Sequence, residues 1–346
     1  MKFLFALLST LVLYLGVRGP LRAAPTAQDL QVYFIDVEGG QATLFVTPLH
    51  ESLLIDTGWA GHHGRDAARI ARAARLAGIT KLDYVLITHY HDDHVGGVSQ
   101  LIARMRVGTF IDHGENRETT DAATEHNWEQ YKKLATAGQA RRLTVKPGDR
   151  LPLKGMDVTV VSADGLLIHG TLGSAPLVND QCTGVAPYPA DRTENARSLG
   201  VLIGFGALRL LDLGDLTADK EQELMCPDNK LGKIDVYIVS HHGWDQSSSQ
   251  VLVHAIAPRL AVMDNGEKKG GSPSVVDTIL NSPGLEALWQ LHYSVEGNRV
   301  HNTDDAHIAN LPGPDAGHYL LLLAHRDGAI DVLNSRTQAT AHYDAR

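Results

Sequence analysis

Cysteine is scarce in this chain: Cys182 and Cys226 are the only two in 346 residues. Two thiols cannot frame a disulfide scaffold or a four-thiolate metal site, and they leave room for one bridge at most. Their separation in sequence does not say whether they meet. Long apolar runs are scarce as well. Beyond the N-terminal stretch no window sustains the roughly 18 apolar residues that a membrane-spanning helix needs, which excludes a polytopic membrane protein. Basic residues are in deficit, 31 against 40 acidic, for a net charge of −9. Three of the 31, Lys2, Arg18 and Arg22, fall within residues 1–24, which hold no acid, so the remainder is more acidic still. The longest basic clusters are Arg141-Arg142 and Lys268-Lys269. A binder of long nucleic acid carries a basic stripe, and none is present.

The rest is an ordinary globular composition, 43% hydrophobic and 21% charged, long enough for one large domain or two smaller ones. Residues 1–24 place Lys2, an uncharged run from Phe3 to Val17 and the small residues Ala23 and Ala24 in the order of a secretory signal. The cleavage point is open and extends as far as residue 27; a retained N-terminal anchor is the alternative. Residues 28–346 read as a single domain with a C-terminal extension from about residue 295. The expected location is secreted or periplasmic, with no stable membrane insertion once the signal is removed.

The stretch that carries chemistry is Thr88-His-Tyr-His-Asp-Asp-His-Val-Gly-Gly97, after the apolar run Leu82–Ile87. His89, His91 and Asp93 alternate, so in an extended segment they project to one side, and His94 joins them if a helix begins there. Imidazole and carboxylate are ligands for divalent first-row metals, and a set without thiolates usually leaves a position open for water.

Strands are predicted at Leu30–Val37, Ala42–Thr47, Ser52–Gly58, Leu82–Ile87, Val107–Ile111, Leu199–Phe205, Leu208–Leu213 and Ile234–Val239. Shorter β segments are predicted at Arg142–Val145 and Asp157–Val161. Helices are predicted over Arg65–Ala77, from Val98, over Trp128–Ala137 and over Ala218–Met225. Residues 164–194, rich in Gly, Pro and Ser, read as a long loop of the kind that often faces substrate. Two pieces echo one another: Lys81-Leu-Asp-Tyr-Val-Leu-Ile-Thr-His89 aligns without gaps on Lys233-Ile-Asp-Val-Tyr-Ile-Val-Ser-His241. Leu53–Gly58 resembles Leu210–Gly214 in the same way, so two related halves are expected.

The His-x-His-x-Asp-His stretch resembles the metal motif of the metallo-β-lactamase superfamily. Asn195-Ala-Arg-Ser198 ahead of a strand resembles its competence-protein-like (ComEC/Rec2-like) branch. The resemblance spans roughly residues 30–295 and implies a four-layer αββα sandwich of two related halves, an α/β fold. It also implies a dinuclear centre, and such a centre needs an anionic group between the ions. Asp215, in the Gly-Asp that matches the family's second half, is the choice. Asp212, which echoes Asp56, is the runner-up, and both are kept as possible ligands or supports. The last histidine is ambiguous. The echo favours His241 as ligand with His242 supporting it or facing substrate, whereas the superfamily's His-Gly pairing favours His242.

Asn195 and Ser198 are assigned to orientation or substrate contact. Two departures from the branch concern groups that would face substrate: Asp36-Val-Glu-Gly-Gly-Gln-Ala42 ends in Gln41 where an acid is usual, and Gly271-Ser272-Pro273 replaces Gly-His-Pro. His62, His63, His113, His292, His301, Asp304 and His307 are further candidates for the neighbourhood of the site, the last four expected mainly as surface or structural residues.

The expected function is hydrolysis by water activated at two zinc ions, with manganese or iron as substitutes. His89 and His91 hold one ion, Asp93, His94 and His241 the other, with Asp215 between them. Asp93 or Asp92 moves the proton. Two divalent ions offset about four charges locally, so a phosphodiester is compatible with an acidic chain. The expected substrate is a small-molecule or envelope-derived phosphoester or related ester. Carboxyl ester, lactone or β-lactam hydrolysis is the alternative, and a non-catalytic secreted metal-binding module a second one.

Overall fold

A computed structural model of the chain describes residues 25–26, 28–138, 140–173 and 177–346. The signal-peptide reading of residues 1–24 lies outside the described residues. Two large sheets face one another. In the first, nine-stranded sheet, Ala339–Tyr343, Ile330–Asn334, Leu320–Ala324, Leu30–Phe34, Thr43–Val46 and Ser52–Ile55 pair antiparallel. Parallel strands Lys81–Leu86, Arg106–Asp112 and Arg141–Thr144 follow. The eight-stranded sheet repeats the plan. Leu166–Leu167, Asp157–Ala163, Gly200–Phe205 and Leu208–Asp212 are antiparallel, and Val236–Ile238, Leu260–Met263, Ala287–His292 and Ile308–Asn310 are parallel.

Alternation along the strands builds the layers. Leu53 and Ile55 point between the sheets, where they meet Phe34, Leu86, Ile203, Leu210 and Val262. Leu54 points outward to Ile70 and Ala74 of the helix Arg65–Leu76, in a layer shared with Leu101, Trp128 and Tyr131. On the far side Leu211, Tyr237 and Ala261 carry Leu224, Val253 and Ile279 from Ala218–Met225, Gln250–Ile256 and Pro273–Leu280. Helix, sheet, sheet, helix is the expected αββα sandwich.

The internal echo is structural down to single residues. Ser52–Ile55 lies parallel to Lys81–Leu86 as Leu208–Asp212 lies parallel to Val236–Ile238. Asp83 accepts the Ser52 backbone N–H at 3.1 Å, and its counterpart Asp235 accepts that of Arg209 at 2.8 Å. Each aspartate thus ties a strand to the start of the one before it.

Three segments differ from the local reading. The helix expected from Trp128 starts at Ala122, because Asp121 caps it by accepting the Thr124 N–H at 2.8 Å. The long loop is anchored midway by a Cys182–Cys226 disulfide, Cα–Cα 5.9 Å, to the end of the helix Ala218–Met225. The C-terminal segment is woven into both sheets: Ile308–Asn310 closes one edge, and Leu320–Ala324 pairs with the first strand of the chain. Among the described residues no helix is long and apolar enough to cross a membrane.

Candidate metal centre

The parallel halves of both sheets end at the same crevice, the usual place for a site in such sheets. Asp56 follows Ser52–Ile55, His89 follows Lys81–Leu86, Asp215 follows Leu208–Asp212, and His241 and His242 follow Val236–Ile238. A single helical turn, Asp92–Val95, swings Asp93 and His94 back toward His89. The loops interlock closely. A Cβ on Gly40 would stand 2.4 Å from the Asp93 carbonyl oxygen, and Gly214, at φ +56°, brings its backbone against Thr88.

Five imidazoles converge here; four have the outer nitrogen within hydrogen-bond reach of a partner, and that of His242 faces Asp264 without a hydrogen bond. His89 Nδ1 is 3.0 Å from Thr88 Oγ1, whose proton goes to Asp56 Oδ2. His91 Nε2 lies 3.1 Å from Glu118, and His94 Nδ1 lies 2.7 Å from Asp56. His241 Nδ1 is 3.2 Å from Ser247 Oγ, and His242 Nδ1 is 3.3 Å from Asp264. Such partners set the tautomer and leave the opposite nitrogen with a free lone pair. Those nitrogens meet inside: His89 Nε2 and His91 Nδ1 are 3.0 Å apart, and His94 Nε2 and His242 Nε2 are 3.2 Å apart.

Asp215 stands between the two pairs. Its Oδ2 is 3.9 Å from His89 Nε2, 3.3 Å from His94 Nε2 and 3.4 Å from His241 Nε2, while Oδ1 is 3.5 Å from His242 Nε2. Asp93 Oδ2 lies 3.2 Å from both His94 and His242. Asp93, His94, Asp215 and His242 thus form one compact group with the spacing of a metal site. His242 completes the group on the Asp93 side, while His241 faces Asp215 Oδ2 and Asn195, so both histidines of the pair reach the centre.

The residues fit divalent ions. Asp215 Oδ1 and Asn195 Oδ1 are buried without a hydrogen-bond partner, and the donors are nitrogen and oxygen only. Electrostatics points the same way. Burial opposes charge on His94, yet Asp215, Asp93 and Asp56 hold its pKa well above 6.5. Burial and Lys269 oppose charge on His242, but Asp215 and Asp264 push it up to about 10. Burial works against the Asp93 carboxylate, and Lys269 and His94 overcome it. Without metal, protons therefore carry the balancing charge, and a bound cation would release them. His241, by contrast, is pushed down to about 4, chiefly by burial.

Asp56 and Asp212 lie beneath this layer and outside the compact group. Asp56 serves His94. Asp212 accepts from Gln41 Nε2 at 2.6 Å, and burial raises its carboxyl to about 7. Gln41 thus supplies a donor where a further acid would have faced Asp212. Ser198 Oγ accepts the Asp215 N–H at 3.2 Å and lies 3.5 Å from His89 Nδ1, which makes it a strut between the halves. Asp92 lines a cleft with Ser99, His126 and Gln130, whereas Asp93 belongs to the compact group. His62 and His63 are exposed. His113 pairs with Glu194 at 3.0 Å and braces the loop that carries Asn195. His292 bonds Asp36 at 2.7 Å, and Arg69 takes the other oxygen of that carboxylate. His301 pairs with Asp277, His307 packs on Trp289, and Asp304 is exposed. Ser272, at the altered Gly-His-Pro position, precedes the first turn of Pro273–Leu280.

Local reading missed Glu118, Asp264 and Lys269. Asp264 comes directly after the strand Leu260–Met263 and Glu118 a short loop after Arg106–Asp112, a positional signal. Lys269 was visible as a basic doublet, but its reach to Asp93 and to the Gly39 carbonyl depends on the tertiary fold.

A family profile described as the metallo-beta-lactamase superfamily matches residues 35–178. Recombination protein 2 of Haemophilus influenzae is 26% identical over 237 residues, covering 68% of this chain and 24% of its own length. ComE operon protein 3 of Bacillus subtilis is 25% identical over 257 residues, covering 68% of this chain and 28% of its own. The chain thus spans about a quarter of the length of each of these relatives. Among solved structures, the metallo-beta-lactamase fold protein YhfI from Bacillus subtilis is similar at 14% identity and a TM-score of 0.46, over 76% of this chain and 96% of that one.

Proposed function

We propose, on the premise that this chain carries a metallo-beta-lactamase superfamily domain related to those of competence proteins, that it is an exported hydrolase using two zinc ions to cleave a phosphodiester or related ester. One observation carries the reading: five imidazole nitrogens gather about Asp215 and Asp93, four of the rings held by a hydrogen-bond partner at the opposite nitrogen and the fifth, His242, facing Asp264. His89, His91 and His241 are assigned to one ion, Asp93, His94 and His242 to the other, with Asp215 between them. Manganese or iron suits the same donors.

Bound divalent ions supply Lewis acidity and a water that ionises near neutral pH. The chain's own residues do the rest. Thr88, Glu118, Asp56, Ser247 and Asp264 hold the rings in register. Asp93, kept ionised by Lys269 and His94, would hold the ion on its side and orient the attacking water, and is assigned to passing that water's proton toward the leaving oxygen. Asn195 Oδ1, buried and unpartnered, orients the water or the substrate beside His241.

The Lys269 ammonium at the mouth and the cations below it favour an anionic ester despite the net charge of −9. Long nucleic acid is disfavoured by that same charge. An envelope location accords with the competence-protein relatives, and secretion or periplasmic export with the disulfide, which persists in oxidising compartments.

The test is a hydrolysis panel on the zinc-reconstituted protein: bis(p-nitrophenyl) phosphate, p-nitrophenyl acetate, a homoserine lactone and a cephalosporin. The phosphodiester is expected to be turned over with the highest kcat/KM, and His91→Ala to lose that activity. Faster turnover of the acetate, lactone or lactam replaces the phosphodiester reading. A fully metallated protein inert on every substrate makes it a binding module.

A further inference from the structure

The chain has four tryptophans. Trp128 and Trp289 are core residues, each 2% exposed, whereas Trp244 is 38% exposed and Trp59 is half-buried. Both of the latter lie at the mouth of the metal centre. The Trp244 ring stands edge-on to His241, centroids 5.4 Å apart at 79°. Trp59 follows Gly58 on the loop after Asp56, and its backbone N–H is held by Asp66 at 2.9 Å. Between them rises Lys269, with Nζ 5.3 Å from the Trp59 ring and 5.6 Å from the Trp244 ring. That ammonium contacts Asp93 and donates to the Gly39 carbonyl at 2.7 Å. It has three protons and these two acceptors, so one donor remains for the opening.

A cation flanked by two accessible indoles beside a centre that handles anions is more than core packing requires. Tryptophan faces attract cations and also stack on planar rings, and base-on-aromatic stacking tolerates many ring types. We propose that Trp59, Trp244 and Lys269 form the substrate clamp: Lys269 binds an oxygen of an anionic phosphoryl group, and the indoles receive a planar aromatic group esterified to it. The preferred ligand is an organic phosphate carrying a nucleobase or an aryl ring. The inference rests on the phosphodiester reading above and narrows it.

The experiment measures equilibrium binding to the zinc-loaded full chain by tryptophan fluorescence and calorimetry. Adenosine 5′-monophosphate, phenyl phosphate and ribose 5-phosphate are the probes. Because Trp128 and Trp289 are buried, a fluorescence change reports mainly on Trp59 and Trp244. AMP is expected to bind at least about tenfold tighter than ribose 5-phosphate, the size of one stacking contact. Phenyl phosphate matching AMP identifies a general aryl site, and phenyl phosphate matching ribose 5-phosphate identifies a nucleobase site; both support the clamp. In W59L/W244L the AMP to ribose 5-phosphate ratio is expected to fall toward one. K269M is expected to weaken both ligands by a similar factor, with zinc content and circular dichroism checked alongside.

Equal wild-type affinities for AMP and ribose 5-phosphate overturn the proposal without any variant, as does a ratio that survives in W59L/W244L. Glycerophosphocholine, a ring-free phosphodiester, separates the two levels. Its hydrolysis by a protein with no ring preference rejects the clamp and keeps the hydrolase. Ring-dependent binding without turnover of any panel substrate rejects the hydrolase and keeps the clamp.

Discussion

His94 Nδ1 lies 2.7 Å from Asp56 Oδ2, and both side chains are fully buried. Asp56 also accepts from the backbone and side chain of Thr88, so a single carboxylate fixes the ring of one candidate ligand and the start of the metal loop. Asp56→Asn keeps the shape but replaces an acceptor with an amide. Loss of such an outer partner typically costs about 10- to 100-fold in metal affinity. Competition against a chromophoric chelator is expected to show a drop of that size, and an unchanged affinity would mean that Asp56 serves folding alone.

His241 and His242 sit consecutively in left-handed backbone, φ +56° and +55°, a conformation uncommon for non-glycine residues and often found at functional sites. Both His241→Gly and His241→Ala remove the ring, so they differ in backbone strain. The glycine variant is expected to be more stable to urea than the alanine variant by roughly 1 kcal/mol, while both bind less zinc. Equal stabilities would contradict the strained geometry.

The Cys182–Cys226 bond closes a sequence separation of 44 residues. On the chain-entropy account the double serine variant is expected to lose roughly 4 kcal/mol in equilibrium unfolding. The tethered loop leads to Asn195 and Ser198, so KM is expected to rise more than kcat falls. Stability unaltered by the double substitution would show that packing alone holds the loop.

Glu221 is buried against Ser248 and Ser249, whose backbone N–H groups it accepts at 2.8 and 2.7 Å. Burial raises its pKa from 4.5 to about 7. The folded chain therefore binds this proton more tightly than the unfolded chain. That contribution is fully present below about pH 4.5 and is lost as pH rises to about 7. The stability of wild type relative to Glu221→Gln is expected to fall across this window, and a pH-independent difference would contradict it.

Much of the site was legible because its chemistry is local. His89, His91, Asp93 and His94 fall within six consecutive positions, and the strand echo located the second histidine pair, whereas Asp215 rested on the Gly-Asp of the family resemblance and the echo alone pointed to Asp212. His241 and His242 were not separable, because which one reaches Asp93 depends on two left-handed residues that composition does not signal. Asp92 adjoins Asp93 in sequence but leaves on the other side of a helical turn. The outer partners Glu118 and Asp264, and the ammonium of Lys269, come from loops whose paths are set by packing. Of the last three strands of the first sheet, Leu320–Ala324 pairs with Leu30–Phe34 at the other end of the chain, beyond the reach of any local periodicity, and the other two follow it as hairpins.

The central claim is a pair of ions bound about Asp215 that drive hydrolysis, and zinc titration tests it directly. Zinc-depleted protein and its Asp215→Asn variant are titrated while hydrolysis of bis(p-nitrophenyl) phosphate and bound metal are followed together. Wild type is expected to gain activity until two equivalents are bound, and Asp215→Asn to bind no more than one equivalent and remain inactive. Two bound equivalents in the variant, or activity in the zinc-depleted wild type, would contradict the account.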